Sequence, residues 1–206
     1  MINFNELKKP FPISALKWRI GTKSKDGTKA KMLVYIDARD VQDRLDEVVG
    51  PENWQFETRS MESMCRTGKT ITIVGRLGIR INDNWIWKED GAENSDIEAA
   101  KGGISDSMKR AAVQWGIGRY LYDASEFDTF VNYTTDFNTY KDNKKVLDEV
   151  AVKLTLKAHD DLGTMEGFIL SLTKPSQVKY IANINQEMFG DKYNELAKTL
   201  LDKMEE

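Results

Sequence analysis

The chain has 206 residues, 40% hydrophobic and 31% charged, with a formal net charge of -3, enough for one substantial hydrophobic core and a small C-terminal appendage. No apolar run approaches the roughly 20 residues a membrane helix needs, and the opening MINFNELKKPFPI lacks a signal-peptide core, so a cytoplasmic protein without a membrane partner is expected. A lone Cys65 excludes an intrachain disulfide and a cysteine-rich zinc site, and the single His159, set in the charged stretch KAHDDLG, reads as a surface residue.

Residues 1–15 form a leading segment in which Pro10 and Pro12 interrupt regular structure. A short helix or irregular chain is expected there, available for docking on a neighbouring subunit. Leu16 to Thr22 and Lys31 to Ile36 read as two strands joined by the polar turn KSKDGTKA. Lys23, Lys25, Lys29 and Lys31 crowd its tip, either as a solvated loop or as a basic finger for phosphate. Asp37 is placed to cap a helix in which Ala38, Val41, Leu45 and Val48 recur at helical spacing, ended by Gly50-Pro51. Trp54 to Met61, Thr70 to Ile81 and Trp85 to Lys88 then predict a three-strand meander with RTGK and NDN as turns. In ITIVGRLGIRI, Arg76 and Arg80 share one strand face, and Ile71, Ile73, Leu77, Ile79 and Ile81 share the other. Gly75 and Gly78 predict curvature or a close approach. Trp54, Trp85, Trp87 and Trp115 adjoin these elements as packing residues rather than base-stacking platforms.

The segment SDIEAAKGGISDSMKRAAVQWGIGRYLY, from Ser95 to Tyr122, carries the most information. Ser95 and Glu98 form a capping box, and Gly116 supplies the permissive residue after Trp115. At about 100° per residue, Ile97, Ala100, Ile104, Met108, Ala111 and Trp115 fall on one arc, and Ser105, Asp106, Lys109, Arg110 and Val113 on the other. Lys101, Ser105 and Lys109 make a stripe, and Asp106, one turn before Arg110, is expected to hold its guanidinium. Gly102 and Gly103 each weaken the helix by roughly 1 kcal/mol relative to alanine, which suggests that something approaches the backbone closely.

After Tyr122, DASEFDTFVNYTTDFNTYKDNKK reads as a long loop or arm. Lys145 to Asp161 predicts a further helix, and the tail from Ser171 predicts two more, the first begun by Pro175 and the two separated near Gly190. The tail either packs on the core or serves as a partner-binding module. The division expected is an N-terminal segment 1–15, a core 16–165 and a helical appendage 166–206, in an α+β fold built on a curved antiparallel β-sheet packed with helices.

KGGISDSMKRAAVQWGIGRYLY, together with YIDARDVQDRLDEVVGPENW upstream, resembles the signature of the Rad-fifty-two family of single-strand annealing proteins, its phage Sak-like branch in particular. The resemblance spans about Leu16 to Tyr122. It implies an oligomeric ring or arc that binds single-stranded DNA in a positive groove and anneals complementary strands without ATP or any other cofactor. Lys109 and Arg110 match the adjacent basic positions of the family's DNA-binding helix, Lys101 matches a further basic position, and Ser105 and Asp106 match the Ser/Thr-Asp pair that supports them. Two positions depart from the pattern. Val113 stands where some relatives carry a further arginine, and Asp40 stands near a basic position of their first helix. Arg39, Arg76, Arg80 and Arg119 are the candidate substitutes.

A net charge of -3 is compatible with this reading, because potential is local: a narrow basic groove can sit on an acidic body. The expected mechanism is electrostatic, with phosphates held and bases left outward for pairing. Expected partners are single-stranded DNA, further copies of the chain, and a phage or host exonuclease or single-strand-binding protein. Two alternatives compete: a non-annealing single-stranded DNA-binding protein, and a metal-dependent nuclease using Asp37, Asp40 or Asp106. Those aspartates are better explained as caps and an ion-pair partner.

Overall fold

The computed structural model describes residues 2–65, 68–93 and 99–205, with side chains described outside 63–70, 93–101 and 205. In chain order the elements are helix α1 (Phe4–Lys8), strands β1 (Lys17–Lys23) and β2 (Lys29–Tyr35), helix α2 (Ala38–Val49), strands β3 (Trp54–Cys65), β4 (Gly68–Ile81) and β5 (Asn84–Glu93), helix α3 (Ala99–Gln114), strand β6 (Phe130–Asn132), and helices α4 (Thr139–Asp142), α5 (Lys144–Asp161), α6 (Met165–Leu170), α7 (Pro175–Phe189) and α8 (Asn194–Glu205). The fold is α+β, with two antiparallel three-stranded sheets, ordered β1-β2-β6 and β3-β4-β5, and a helical C-terminal segment. The chain divides into two compact units, one of Met1–Lys9, Ser14–Lys17 and Tyr35–Tyr122, the other of Pro10–Ile13, Trp18–Val34 and Asp123–Glu206.

In the first unit, the start of α2 is fixed by reciprocal capping: Asp37 caps the helix, and Asp40 accepts the Asp37 backbone N–H at 2.7 Å. Asp40 therefore serves the helix terminus. Val41, Leu45 and Val49 are buried, and Val48 is only half-buried. Residues 4–9 of the leading segment pack within this unit. Leu7 is fully buried, Phe4 stacks with Trp115, and Arg44 of α2 donates to the carbonyls of Glu6 and Lys9 at 3.1 and 2.7 Å, satisfying carbonyls at the end of α1.

The meander is antiparallel throughout, with Trp54 opposite Ile79 and Ile79 opposite Ile86. Its β4–β5 turn is the two-residue Asn82-Asp83, both with positive φ (50° and 64°), the geometry that matches strand twist. The RTGK turn includes Arg66 and Thr67, which lie outside the described residues. The pleat puts Phe56, Gly75, Leu77, Ile79, Lys88, Asp90 and Ala92 on one face, and Glu57, Arg76, Arg80, Trp85, Trp87 and Glu89 on the other. Helix α3 lies on the first face, over β4 and β5. A Cβ on Gly75 would come within 2.8 Å of both the Phe56 ring and Ser107 Oγ. That glycine lets α3 settle onto the sheet.

In the second unit, β6 adds to β2, with Ala30 opposite Val131. The segment after Tyr122 is thus more structured than a loop, comprising the end of the 3-10 helix Arg119–Glu126 (whose start lies in the first unit), β6 and α4. A three-residue strand is too short to display a period, which is why the sequence pattern is silent there. Met32, Val131 and Leu147 form one core cluster. Val152, Leu156, Met165, Ile169, Ile181 and Ile184 form another, linking α5, α6 and α7, with Leu196 and Leu200 of α8 packed against it. Helix α6 was not anticipated. At the hairpin tip Lys23 is tied to Tyr133 and Asp136, each at 2.8 Å. His159 stacks on Phe168 and its Nδ1 lies 2.8 Å from Thr164 Oγ1, a packing role within α5–α6.

Candidate nucleic-acid interface

Helix α3 shows the expected division of faces, rotated slightly. Gly103, Ser107, Met108, Ala111, Ala112 and Trp115 are buried, whereas Ile104, expected in the core, is 44% exposed. The rotation follows from Ser107: at 0% exposure it takes the closest position over Gly75, and its hydroxyl is satisfied by the Ile104 carbonyl at 3.0 Å. The capping box at Ser95 and Glu98, and Ile97 of the apolar arc, lie outside the described residues.

The helix ends as its glycine predicts. Gly116 has φ 95°, its N–H donates to Val113 O at 3.0 Å, and the Ile117 N–H donates to Ala112 O at 3.2 Å, a Schellman arrangement. Two cations then occupy the negative end of the helix. Arg119 donates from Nε and Nη2 to Val113 O (3.0 and 2.7 Å) and from Nη2 to Gln114 O at 3.0 Å; Lys88 Nζ donates to Gln114 O at 2.8 Å. Burial, with the nearby Arg119 charge, holds Lys88 below the ordinary lysine pKa. Trp115 fixes the same end to the sheet through Nε1–H to Leu77 O at 3.1 Å.

On the outward side, Lys109 lies 3.4 Å from Asp106 and 5.3 Å from the centre of the Tyr35 ring, with its side chain 25% exposed. Arg110 donates to a single oxygen of Asp90 on β5, from Nε at 3.3 Å and from Nη2 at 3.1 Å. Burial opposes the charge of Arg110, but hydrogen bonding to Asp90 and the field of Asp90, Tyr122 and Asp106 outweigh it and raise its pKa above the ordinary arginine value. Asp106 was expected to hold Arg110. Its ion pair is with Lys109, and Arg110 reaches across to the sheet instead.

Other basic candidates are dispersed. Lys101 sits in the first turns of α3, its side chain outside the described ones, with Ser105 half-buried one turn on. Arg39 is exposed near the start of α2. Arg76 and Arg80 occupy the sheet face turned away from α3: Arg76 stacks 4.0 Å over Trp87 and lies 3.6 Å from Glu57, and Arg80 grips Asn53 Oδ1 at 2.7 and 3.0 Å. The structure therefore brings Lys109 and Arg110 together and leaves these two apart from them. Arg119 is committed to the helix end. Sequence reading missed Lys88, Asp90 and Tyr35; the alternation in IWKEDG puts Lys88 and Asp90 on one strand face, but only the register, Lys88 opposite Leu77 and Asp90 opposite Gly75, puts that face under α3. The three aspartates considered for metal chemistry have separate partners: Asp37 pairs with Lys17, Asp40 caps α2 and Asp106 pairs with Lys109. Among the described residues no helix is long and apolar enough to cross a membrane.

Residues 4–140 match the family model of the Rad52/22 family double-strand break repair protein. Two relatives named single-stranded DNA-binding protein DdrA are similar over 119 residues, 57% of this chain: one from Deinococcus deserti at 43% identity, covering 55% of its length, and one from Deinococcus radiodurans at 40%, covering 53%. The chain spans about half the length of these curated relatives.

Proposed function

The chain belongs to the Rad52/22 double-strand break repair family, and on that premise we propose that it binds single-stranded DNA and anneals complementary strands without nucleotide, as a ring or arc of identical subunits. The observation that carries this reading is the adjacent pair Lys109 and Arg110 on the outward side of α3, each held from one side by an aspartate. Both pairs are partly exposed to solvent, where such contacts contribute about 0.2–1 kcal/mol, so a phosphate can share the cations at little cost. The DdrA relatives are named as single-stranded DNA-binding proteins, which supports the DNA ligand.

In this mechanism Lys109 and Arg110 hold phosphates, with Lys101 and Arg39 as further contacts, and Ser105 and Asp106 support the helix face. Arg119 and Lys88 fix the end of α3 rather than touch DNA. Arg76 and Arg80, on the far face, serve a different stretch of DNA or none. Annealing and self-assembly reside in residues 16–165, and the C-terminal helices serve packing or a partner such as an exonuclease or single-strand-binding protein. Bases remain outward, so Watson-Crick pairing supplies specificity, and stacking of about 1.4 kcal/mol per base-pair step drives annealing. The setting is the bacterial cytoplasm, with a phage origin suggested by the two sequence motifs.

The test is fluorescence annealing of complementary oligonucleotides without nucleotide or metal. Acceleration is expected. The relatives' name favours a second reading, a binding protein that does not anneal; tight binding with slowed pairing would select it.

A further inference from the structure

An arginine guanidinium has two hydrogen-bonding edges, one formed by Nε with Nη2 and the other by Nη1 with Nη2. In Arg110 the first edge is taken by Asp90 Oδ1, at 3.3 and 3.1 Å. Among the described residues Nη1 makes no hydrogen bond, and the side chain is 43% exposed. Asp90 is itself fixed: it lies on β5 opposite Gly75, on the face that α3 covers, its Oδ1 accepts the Gly91 N–H at 2.7 Å, and its side chain is 28% exposed. The anchor therefore belongs to the sheet, and the arginine to the helix laid on it.

We propose that Asp90 is the positioning residue for phosphate capture by Arg110: it holds one edge of the guanidinium and turns the other toward a backbone phosphate of single-stranded DNA. This rests on reading α3 as the DNA-holding helix. Without the anchor, a long side chain with many rotamers has to be ordered at the moment of binding. The same carboxylate also repels the phosphate. The two effects have opposite signs, which makes them separable. If charge alone matters, removing Asp90 tightens binding; if it positions Arg110, removal weakens binding although a negative charge has gone.

The experiment uses the full chain and labelled oligothymidylate, titrated at salt concentrations from about 50 to 200 mM, with Asp90→Ala, Asp90→Asn, Arg110→Ala and the Asp90→Ala/Arg110→Ala double variant. Asp90→Ala is expected to weaken binding about five-fold and to flatten the log–log salt slope by about 0.7, the loss of one phosphate contact on a single strand. Asp90→Asn keeps the acceptor oxygen and should recover most of the affinity. In the Arg110→Ala background, Asp90→Ala should change affinity less than about two-fold. Unchanged or tighter binding by Asp90→Ala overturns the proposal. So does an equal loss in both backgrounds, the mark of general structural damage. Wild-type affinity and slope in Arg110→Ala would instead overturn the reading of α3 as the DNA-holding helix.

Discussion

Gly75 shows what a single missing Cβ permits. With Phe56 and Ser107 Oγ each 2.8 Å from where that carbon would stand, Gly75→Ala must push α3 or the Phe56 ring away. Overpacking of this kind costs about 1–3 kcal/mol, expected as a lower denaturant midpoint with an unchanged slope. A neutral result would mean that the ring moves aside freely. At the hairpin tip, Asp26 accepts from Ser24 Oγ at 2.5 Å and from the Thr28 N–H at 3.1 Å, and these bonds lower its pKa from 3.8 to about 2. Its contribution to the turn is present above the unfolded value and is lost as pH falls through the folded one. An NMR titration should place the Asp26 midpoint near 2; a midpoint near 4 would show that the turn does not hold the carboxylate.

At the scale of the element, α3 depends on its C-terminal end. Arg119 joins the Gly116 N–H at the carbonyl of Val113 and, with Lys88, satisfies that of Gln114. Arg119→Ala is expected to cost about 1 kcal/mol and to speed amide exchange in the last turn of α3. Lys109→Ala and Arg110→Ala should leave stability within about 0.5 kcal/mol and act on DNA binding. If Arg119→Ala instead leaves exchange unchanged and flattens the salt slope as Arg110→Ala does, Arg119 belongs among the DNA contacts. The caps of α2, the glycine exit of α3 and the β4–β5 turn were legible because each is set by residues a few positions apart. The strand β6 and the short helix α6 were not, since elements of three and six residues carry less than two full periods.

For the whole molecule the governing quantity is local charge on an acidic chain of net -3. If Lys109 and Arg110 each neutralise one phosphate, the Lys109→Ala/Arg110→Ala variant should lower single-strand affinity and flatten the log–log salt slope by about 1.4. A folded double variant that binds and anneals like the parent would remove the central assignment. Native mass spectrometry of the two proteins, with and without single-stranded DNA, reads out whether assembly depends on the same pair.

By itself the sequence determined the local and periodic features: the α+β class, the antiparallel meander, the capped α2, the outward Lys109 and Arg110, and the motifs that mark the family. Each is written in neighbouring residues or in a two- or 3.6-residue repeat. Only the tertiary structure decided what Arg110 holds, where Arg119 is spent, and that Arg76 and Arg80 face away from α3. Those outcomes depend on strand register and on how closely a helix can settle over one glycine, and contacts between residues 20 or 38 positions apart leave no periodic trace in the chain.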